Sequence, residues 1–426
     1  MKIAFIVWRF PVLSEAFILN QITGLIDRGH EVHIHPVNGL PKNYTGKIHP
    51  TVEEYKLIEH TYFPPNLPEN LFLRFLKGVG LLLTNVHKGS LTTLQFFNNK
   101  KYGSEVTTLK SFYRTLSLLQ DGYYDIIHCQ FGTLAPIALA YRDAGIIKGK
   151  LITTFRGIDI SKYVQEKGED VYNELFQKGD FFLANCDFFR DRAISLGCDP
   201  QKIVVHGSGL DCSKFSFKPR YFPADGKVKI ATTGRLVEKK GIEYGIRAVA
   251  KVAETYPNIE YNIIGDGELK AHLEQLIAEL NVGKLVNLLG WKQQKEIIDI
   301  LDNSHIFIAP SVTAADGNQD APVNTLKEAM AMGLPVISTL HGGIPELVQD
   351  GSGFLVPERD AEAIAEKLSY LIEHPEWEKM GRCGRARVEE KYDMNKLNDE
   401  LVEIYQQMLS ESKKQLVEST KELAHI

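Results

Sequence analysis

Short runs of branched and aromatic apolar residues recur along this chain with helical patterns between them. That alternation restricts the fold more than any other feature. Residues 2–7 (KIAFIV) read as a buried strand, 14–28 as a helix with Gly29 just past its end, and 31–37 as a second strand. Further strands are expected at 125–129, 151–155, 181–185 and 203–206, with a helix at 134–143. Strands alternating with helices in this way imply βαβ units and a parallel sheet. The pattern stops at 213–227, where KFSFKPRYFPADGK holds two prolines and a glycine and has no period. It then restarts, with strands at 228–233, 260–264, 286–289, 306–309, 335–338 and 354–356. Helices are expected between them, near 241–256, 268–280, 293–303, 322–332 and 361–373. The fold class is therefore α/β: two Rossmann-like, doubly wound parallel sheets in domains at 1–215 and 216–393. Ligands of such sheets sit beyond the carboxyl ends of the strands, so the two domains should share one cleft.

Composition narrows the function. A chain of 426 residues allows two or three domains, each with its own core. A net charge of −5 with a pI near 6.3 disfavours a nucleic-acid partner. The five cysteines show no paired spacing and read as reduced thiols of a cytoplasmic protein. No apolar stretch reaches the roughly 18 residues of a membrane span, and the opening strand, followed at once by Trp8-Arg9-Phe10-Pro11, does not read as a signal peptide. Residues 71–83 (LFLRFLKGVGLLL) are apolar but carry Arg74 and Lys77. A core or subunit-facing helix is the favoured reading there; a helix lying on a bilayer or facing a lipid-linked substrate is the other. Residues 394–414 are helical with a stripe at Leu397, Leu401, Ile404, Tyr405 and Leu409 that would return to the first domain, and the last dozen residues should fray.

The chemistry concentrates in residues 311–343 (SVTAADGNQDAPVNTLKEAMAMGLPVISTLHGG). Asp320 closes a loop, Pro322 is placed to open a helix, and Glu328 follows Asp320 by eight positions. The amides of Ala321, Val323 and Asn324, with Thr325 beside them, would point at one spot with the positive helix end behind them, an anion site. An isolated pair at this spacing is more often a capped surface helix, because charged helix positions are usually solvated. Other turns shift that balance. Gly234 and Arg235 begin a strand-to-helix turn that ends with Lys240, two cations suited to a diphosphate unless they are only a surface cluster. Gly265-Asp266-Gly267 forms a second such turn, where backbone can approach a ligand closely. His206-Gly207-Ser208-Gly209 closes the first domain's last strand, and His341-Gly342-Gly343 offers more free amides at a helix start.

Together, GRLVEKKG, GDG, APS, the carboxylate pair with EAMAMGLPVIST, and GGIPELVQDGSGFLV resemble the retaining GT-B glycosyltransferases of family 4 over nearly all of 228–357. FPVLSEAFILNQ, DIIHCQFG and FRGIDIS resemble the colanic-acid and exopolysaccharide branch of that family. The resemblance implies that Glu328 binds the ribose hydroxyls and that Asp320, shorter than the usual glutamate, stands near the donor sugar. Ala321-Pro322 replaces the usual Gly-x-Pro. Arg235 and Lys240 match the diphosphate pair, and Ser14 and Glu15 the loop that closes over phosphate and sugar.

Two departures fall on the sugar side. His128-Cys129-Gln130 stands where the family often has His-x-His, and Arg156-Gly157-Ile158-Asp159 where it often begins His-Gly. His128 would then keep the reactive position, or Gln130 and Arg156 with Asp159 would supply hydrogen bonds and charge instead. A histidine in an apolar strand is also commonly a satisfied core residue. The resemblance implies transfer of a hexose, glucose from UDP-glucose being favoured, to a saccharide acceptor in exopolysaccharide biosynthesis, lipid-linked at the cytoplasmic membrane face. The acceptor proton would pass to the donor phosphate, with no metal and no cofactor besides the donor substrate. A nucleotide-sugar epimerase of the same fold, or a catalytically silent nucleotide-sugar-binding protein, are the alternatives.

Overall fold

The computed structural model describes residues 1–12, 15–39, 49–84, 113–114, 122–349 and 351–423. Ser14 lies outside them. The first sheet comprises β1 (Lys2–Val7), β2 (Glu31–Pro36), β3 (Tyr123–Cys129), β4 (Lys148–Phe155), β5 (Phe181–Ala184) and β6 (Ile203–Val205). Its order is β2-β1-β3-β4-β5-β6, all parallel. The second comprises β7 (Val228–Thr233), β8 (Ile259–Ile264), β9 (Val286–Gly290), β10 (Ile306–Ala309), β11 (Val336–Thr339) and β12 (Gly353–Val356). Its order is β12-β11-β10-β7-β8-β9, again all parallel. The apolar runs have a physical reason: helices cover both faces of a parallel sheet, so Ile3, Ala4, Phe5, Ile6 and Val7 are all buried. The strand order reverses between β1 and β3 and between β7 and β10. Crevices therefore open at the carboxyl ends of those pairs.

The chain crosses between the sheets twice. It leaves β6 through 206–227 and returns at 392–394, where Leu210 N–H donates to Tyr392 O (2.7 Å) and Met394 N–H donates to Leu210 O (3.0 Å). The Met394–Leu423 helix then packs on the Ala16–Asp27 helix, burying Leu401, Tyr405 and Met408 among Ile18, Leu19, Ile22 and Leu25. Close approach depends on Gly24, because a Cβ there would lie 2.0 Å from Asn398 Nδ2. The final helix continues to Leu423, beyond the expected end near 414, and residues 424–426 lie outside the described residues.

The Leu71–Thr84 helix is not a core helix, and its exposure is compatible with the subunit-facing and the bilayer-facing readings. Leu71, Phe72, Leu73, Phe75, Leu76 and Leu83 are 51–68% exposed, whereas Arg74 is buried. Arg74 Nε donates to Pro68 O (2.8 Å) and Lys77 Nζ to Asn66 O (2.8 Å), so the polar side chains bind the protein and the apolar ones face outward. Periodicity reports an amphipathic helix but not which face is inside. Among the described residues no helix is long and apolar enough to cross a membrane.

Candidate active site

The turns at the carboxyl ends of the second sheet lock together. Gly234 N–H donates to Ile264 O (2.9 Å) and Leu236 N–H to Asp266 O (3.0 Å). Gly265 has φ +144°, and a Cβ on it would sit 1.8 Å from Gly234 O, so only glycine permits this contact. Gly267 packs on Leu236 in the same way. The short Glu238–Lys240 helical turn ends on Gly241 in the left-handed conformation. That geometry sends both Lys239 and Lys240 to Asp320. Lys239 Nζ lies 2.8 Å from Asp320 Oδ1 and Lys240 Nζ 2.8 Å from Oδ2. Ser311 Oγ also donates to Oδ2 (3.2 Å). Burial alone would raise the Asp320 carboxyl, but Lys240 and Lys239 outweigh it and hold it well below the usual carboxylate range. Arg235 is exposed and makes no ion pair among the described residues, yet lies near enough for its charge to weigh on Lys240.

The helix after Asp320 begins later than expected. Val323 is extended (φ −70°, ψ 127°), so the first helical residue is Asn324 rather than Pro322. A β-branched side chain favours that extended backbone. The free first-turn donors are accordingly the amides of Asn324 and Thr325, with Ala321 and Val323 in the approach to the helix. Glu328 lies one turn further on, half-buried, and its carboxyl makes no hydrogen bond or ion pair among the described residues. Burial pushes it up to about 7 against the opposing charge of Lys327. Glu15, from the first half, is likewise pushed up to about 7 by burial, with Arg156 opposing.

Side chains given no role in the sequence reading support the Asp320 loop. His341 is fully buried; its Nε2 accepts the Asp320 N–H (2.9 Å), so Nδ1 carries the proton and donates to Glu358 (2.6 Å). Glu358 also accepts from Thr313 N (2.8 Å) and Thr313 Oγ1 (3.1 Å). From the first half, Ser161 Oγ accepts from Gln319 N (3.4 Å) and Lys162 pairs with Asp316 (2.8 Å). Glu346 reaches across as well, accepting from Asp187 N (2.7 Å) and Phe188 N (2.9 Å).

On the first-half side, Arg156 is the centre of a buried network. Its guanidinium donates to Gln130 Oε1 (2.6 Å), Gln130 O (3.0 Å), Gln21 Oε1 (3.1 Å) and Ser208 Oγ (3.2 Å), and stacks on Phe17 at 4.5 Å. Asp159 is fully enclosed, its oxygens taken by the amides of Gly132 (2.7 Å), Arg156 (3.0 Å) and Gly157 (2.9 Å). It shapes the loop that carries Arg156 rather than facing the cleft. His128 is 0% exposed, with Nδ1 2.7 Å from Tyr405 Oη and Nε2 2.7 Å from Thr154 Oγ1. Both ring nitrogens are satisfied inside the core. Among the described residues no group of three or more His, Cys, Asp or Glu is arranged to hold a metal ion.

The pattern described as Glycosyltransferase Family 4 matches residues 14–214, and that described as Glycosyl transferases group 1 matches 213–387. WcaL of Escherichia coli (strain K12), by name a colanic acid biosynthesis glycosyltransferase, is 35% identical over 410 residues, covering 95% of this chain and 100% of WcaL. The chain belongs to glycosyltransferase family 4. AmsK of Erwinia amylovora, an amylovoran biosynthesis glycosyltransferase by name, is 33% identical over 412 residues, covering 96% of this chain and all of AmsK. In fold, this family 4 glycosyltransferase matches the crystal structure of Anabaena Alr3699/HepE in complex with UDP-glucose. The TM-score is 0.66 at 18% identity, over 96% of this chain and 100% of that one. The GT-B architecture of two parallel sheets is thereby established.

For this glycosyltransferase, His128→Ala is expected to cost stability, about 1–3 kcal/mol from the stranded Tyr405 and Thr154 hydroxyls. Turnover of the folded protein should not change. Denaturant unfolding beside steady-state rates checks this, and a rate loss exceeding the unfolded fraction would return the ring to the reacting sugar.

Proposed function

We propose that this chain is a retaining hexosyltransferase of exopolysaccharide biosynthesis that moves glucose from UDP-glucose to a lipid-linked saccharide. One arrangement carries the reading: Asp320 held between Lys239 and Lys240, with Arg235 close by and the unpaired Glu328 on the helix that follows. Three cations against one carboxylate leave two positive charges, which matches a diphosphate ester. Glu328 then accepts from the ribose hydroxyls, the Asn324 and Thr325 amides face phosphate, and Glu15 closes from the opposite half. Asp320 meets the sugar, with Gln130 and Arg156 beyond it. Lys240, Lys239 and Arg235 stabilise the departing UDP, and the acceptor hydroxyl gives its proton to the leaving phosphate oxygen. Support for the acceptor class comes from the colanic acid and amylovoran names of the relatives. The UDP-glucose complex of the same-fold neighbour HepE supports the donor.

A lipid-linked acceptor fits the outward apolar face of the Leu71–Thr84 helix, which we assign to an anionic lipid surface. Charge favours it: residues 71–114 carry seven Lys or Arg against one Glu, in a chain of net charge −5.

The test incubates purified protein with UDP-glucose and a detergent extract of acceptor lipid, with and without EDTA. UDP release with an α-linked product is expected, unchanged by EDTA because Lys239, Lys240, Arg235 and helix amides meet the diphosphate charge. A new sugar-nucleotide isomer would indicate an epimerase, and binding without turnover a silent receptor. Rate loss on EDTA restored by Mg²⁺ would overturn the charge assignment. Flotation with anionic vesicles should carry the protein and lose a Phe72→Ser, Phe75→Ser variant; equal flotation of both would remove the helix from the membrane.

A further inference from the structure

Lys327 is 1% exposed, on the same helix as Glu328 and one residue before it. Its Nζ donates to Ser208 O (2.8 Å) and Asn324 Oδ1 (3.3 Å) and stands 4.4 Å over the Tyr392 ring. It makes no ion pair among the described residues, and burial brings its ammonium down to about 7. A buried ammonium without a carboxylate is a costly way to hold a helix in place. Its partners are informative: Ser208 lies on the first crossing between the sheets and Tyr392 on the second, and these crossings are bonded to each other through Leu210. Ser208 Oγ is also an acceptor for Arg156. A continuous polar path thus runs from the donor-side helix, through Ser208, to the arginine at the end of β4.

We propose that Lys327 is a positioning residue for the transfer reaction: by bridging to Ser208 and Tyr392 it fixes the register of the two halves in which Arg156 meets the donor sugar. The inference rests on the reading above, in that it takes Arg156 to face sugar or acceptor. Lys327 touches neither nucleotide nor sugar. Its effect is on alignment, where small misplacements of reacting groups have large kinetic consequences.

The experiment compares wild type with Lys327→Met, which keeps length and removes charge and donor. Turnover should fall about 10–100-fold, as expected for lost alignment, while UDP affinity by calorimetry stays the same. The melting temperature should hold or rise, because apolar replacement of a buried charge is commonly neutral or stabilising. A merely structural lysine would instead lower melting temperature and turnover together. Wild-type turnover in K327M, or a rate loss that tracks melting temperature, would overturn the proposal. Should K327M not fold, Tyr392→Leu removes the other end of the bridge, the ring under Lys327 Nζ: lower turnover with intact UDP affinity and an unchanged melting temperature supports the proposal, and unchanged turnover overturns it. Inactive wild-type protein would instead fault the transferase reading itself.

Discussion

Lys240→Ala is expected to lower turnover by about 100- to 1,000-fold, the loss typical of removing one pre-placed donor to a developing charge. The protein should remain folded. Breaking a buried ion pair usually destabilises strongly because a charge is left unpaired, but Lys239 keeps its 2.8 Å contact with the other oxygen of Asp320. The residual pair is the reason to expect a kinetic rather than a thermal phenotype. Saturating UDP-glucose separates the two: kcat should collapse while the melting temperature moves little. A variant that keeps near-normal kcat while folded would take Lys240 out of the diphosphate site.

Glu328→Ala should weaken UDP binding roughly ten- to a hundredfold, since a charged acceptor is worth about 1.5–3 kcal/mol. Calorimetry reads this directly, and unchanged affinity would remove Glu328 from the ribose. The same residue has a second signature. Its carboxyl sits at about 7 in the folded protein against an ordinary value of 4.5. The folded state therefore holds the proton more tightly than the unfolded chain. Stability from this group is fully present below about 4.5 and is lost as pH rises through about 7. Glu15 contributes in the same direction, while His128, His206 and His305, held low by burial, oppose it over the same range. The melting temperature of unliganded Glu328→Ala relative to wild type should therefore rise across that window. An identical pH dependence in the variant would contradict the burial of this carboxyl.

The sheets were legible from the sequence because parallel strands covered on both faces are apolar at every position, and the expected segments lie within a few residues of β1 to β12. The turns were legible because Gly265 and Gly267 mark backbone contacts that tolerate no side chain. What escaped depended on the third dimension. Spacing identified cations at 235 and 240, but the tight turn ending on Gly241 decided that Lys239 joins Lys240 on Asp320. His341 and Glu358 meet from the ends of neighbouring strands, a pairing no local pattern encodes. Helical lysines are nearly always solvated, and only the two crossings packed against Lys327 make it internal. The start of the Asn324–Ala331 helix moved because proline permits a helix to begin without requiring it.

Because the chain passes between its halves at 206–227 and again at 392–394, with Leu210 bonded to Tyr392 and Met394, the molecule is hung like a door on two adjacent pins. A single tether would let the halves swivel about three axes; two tethers bonded side by side leave chiefly one swing. A cleft that opens along one arc returns each time to the same alignment. The final helix adds a condition to that swing. It grows out of the second half but supplies Leu401, Tyr405 and Met408 to the core of the first. Neither half is therefore a severable module, and a cut just before Met394 would strip the lining from one leaf of the door while releasing its second pin.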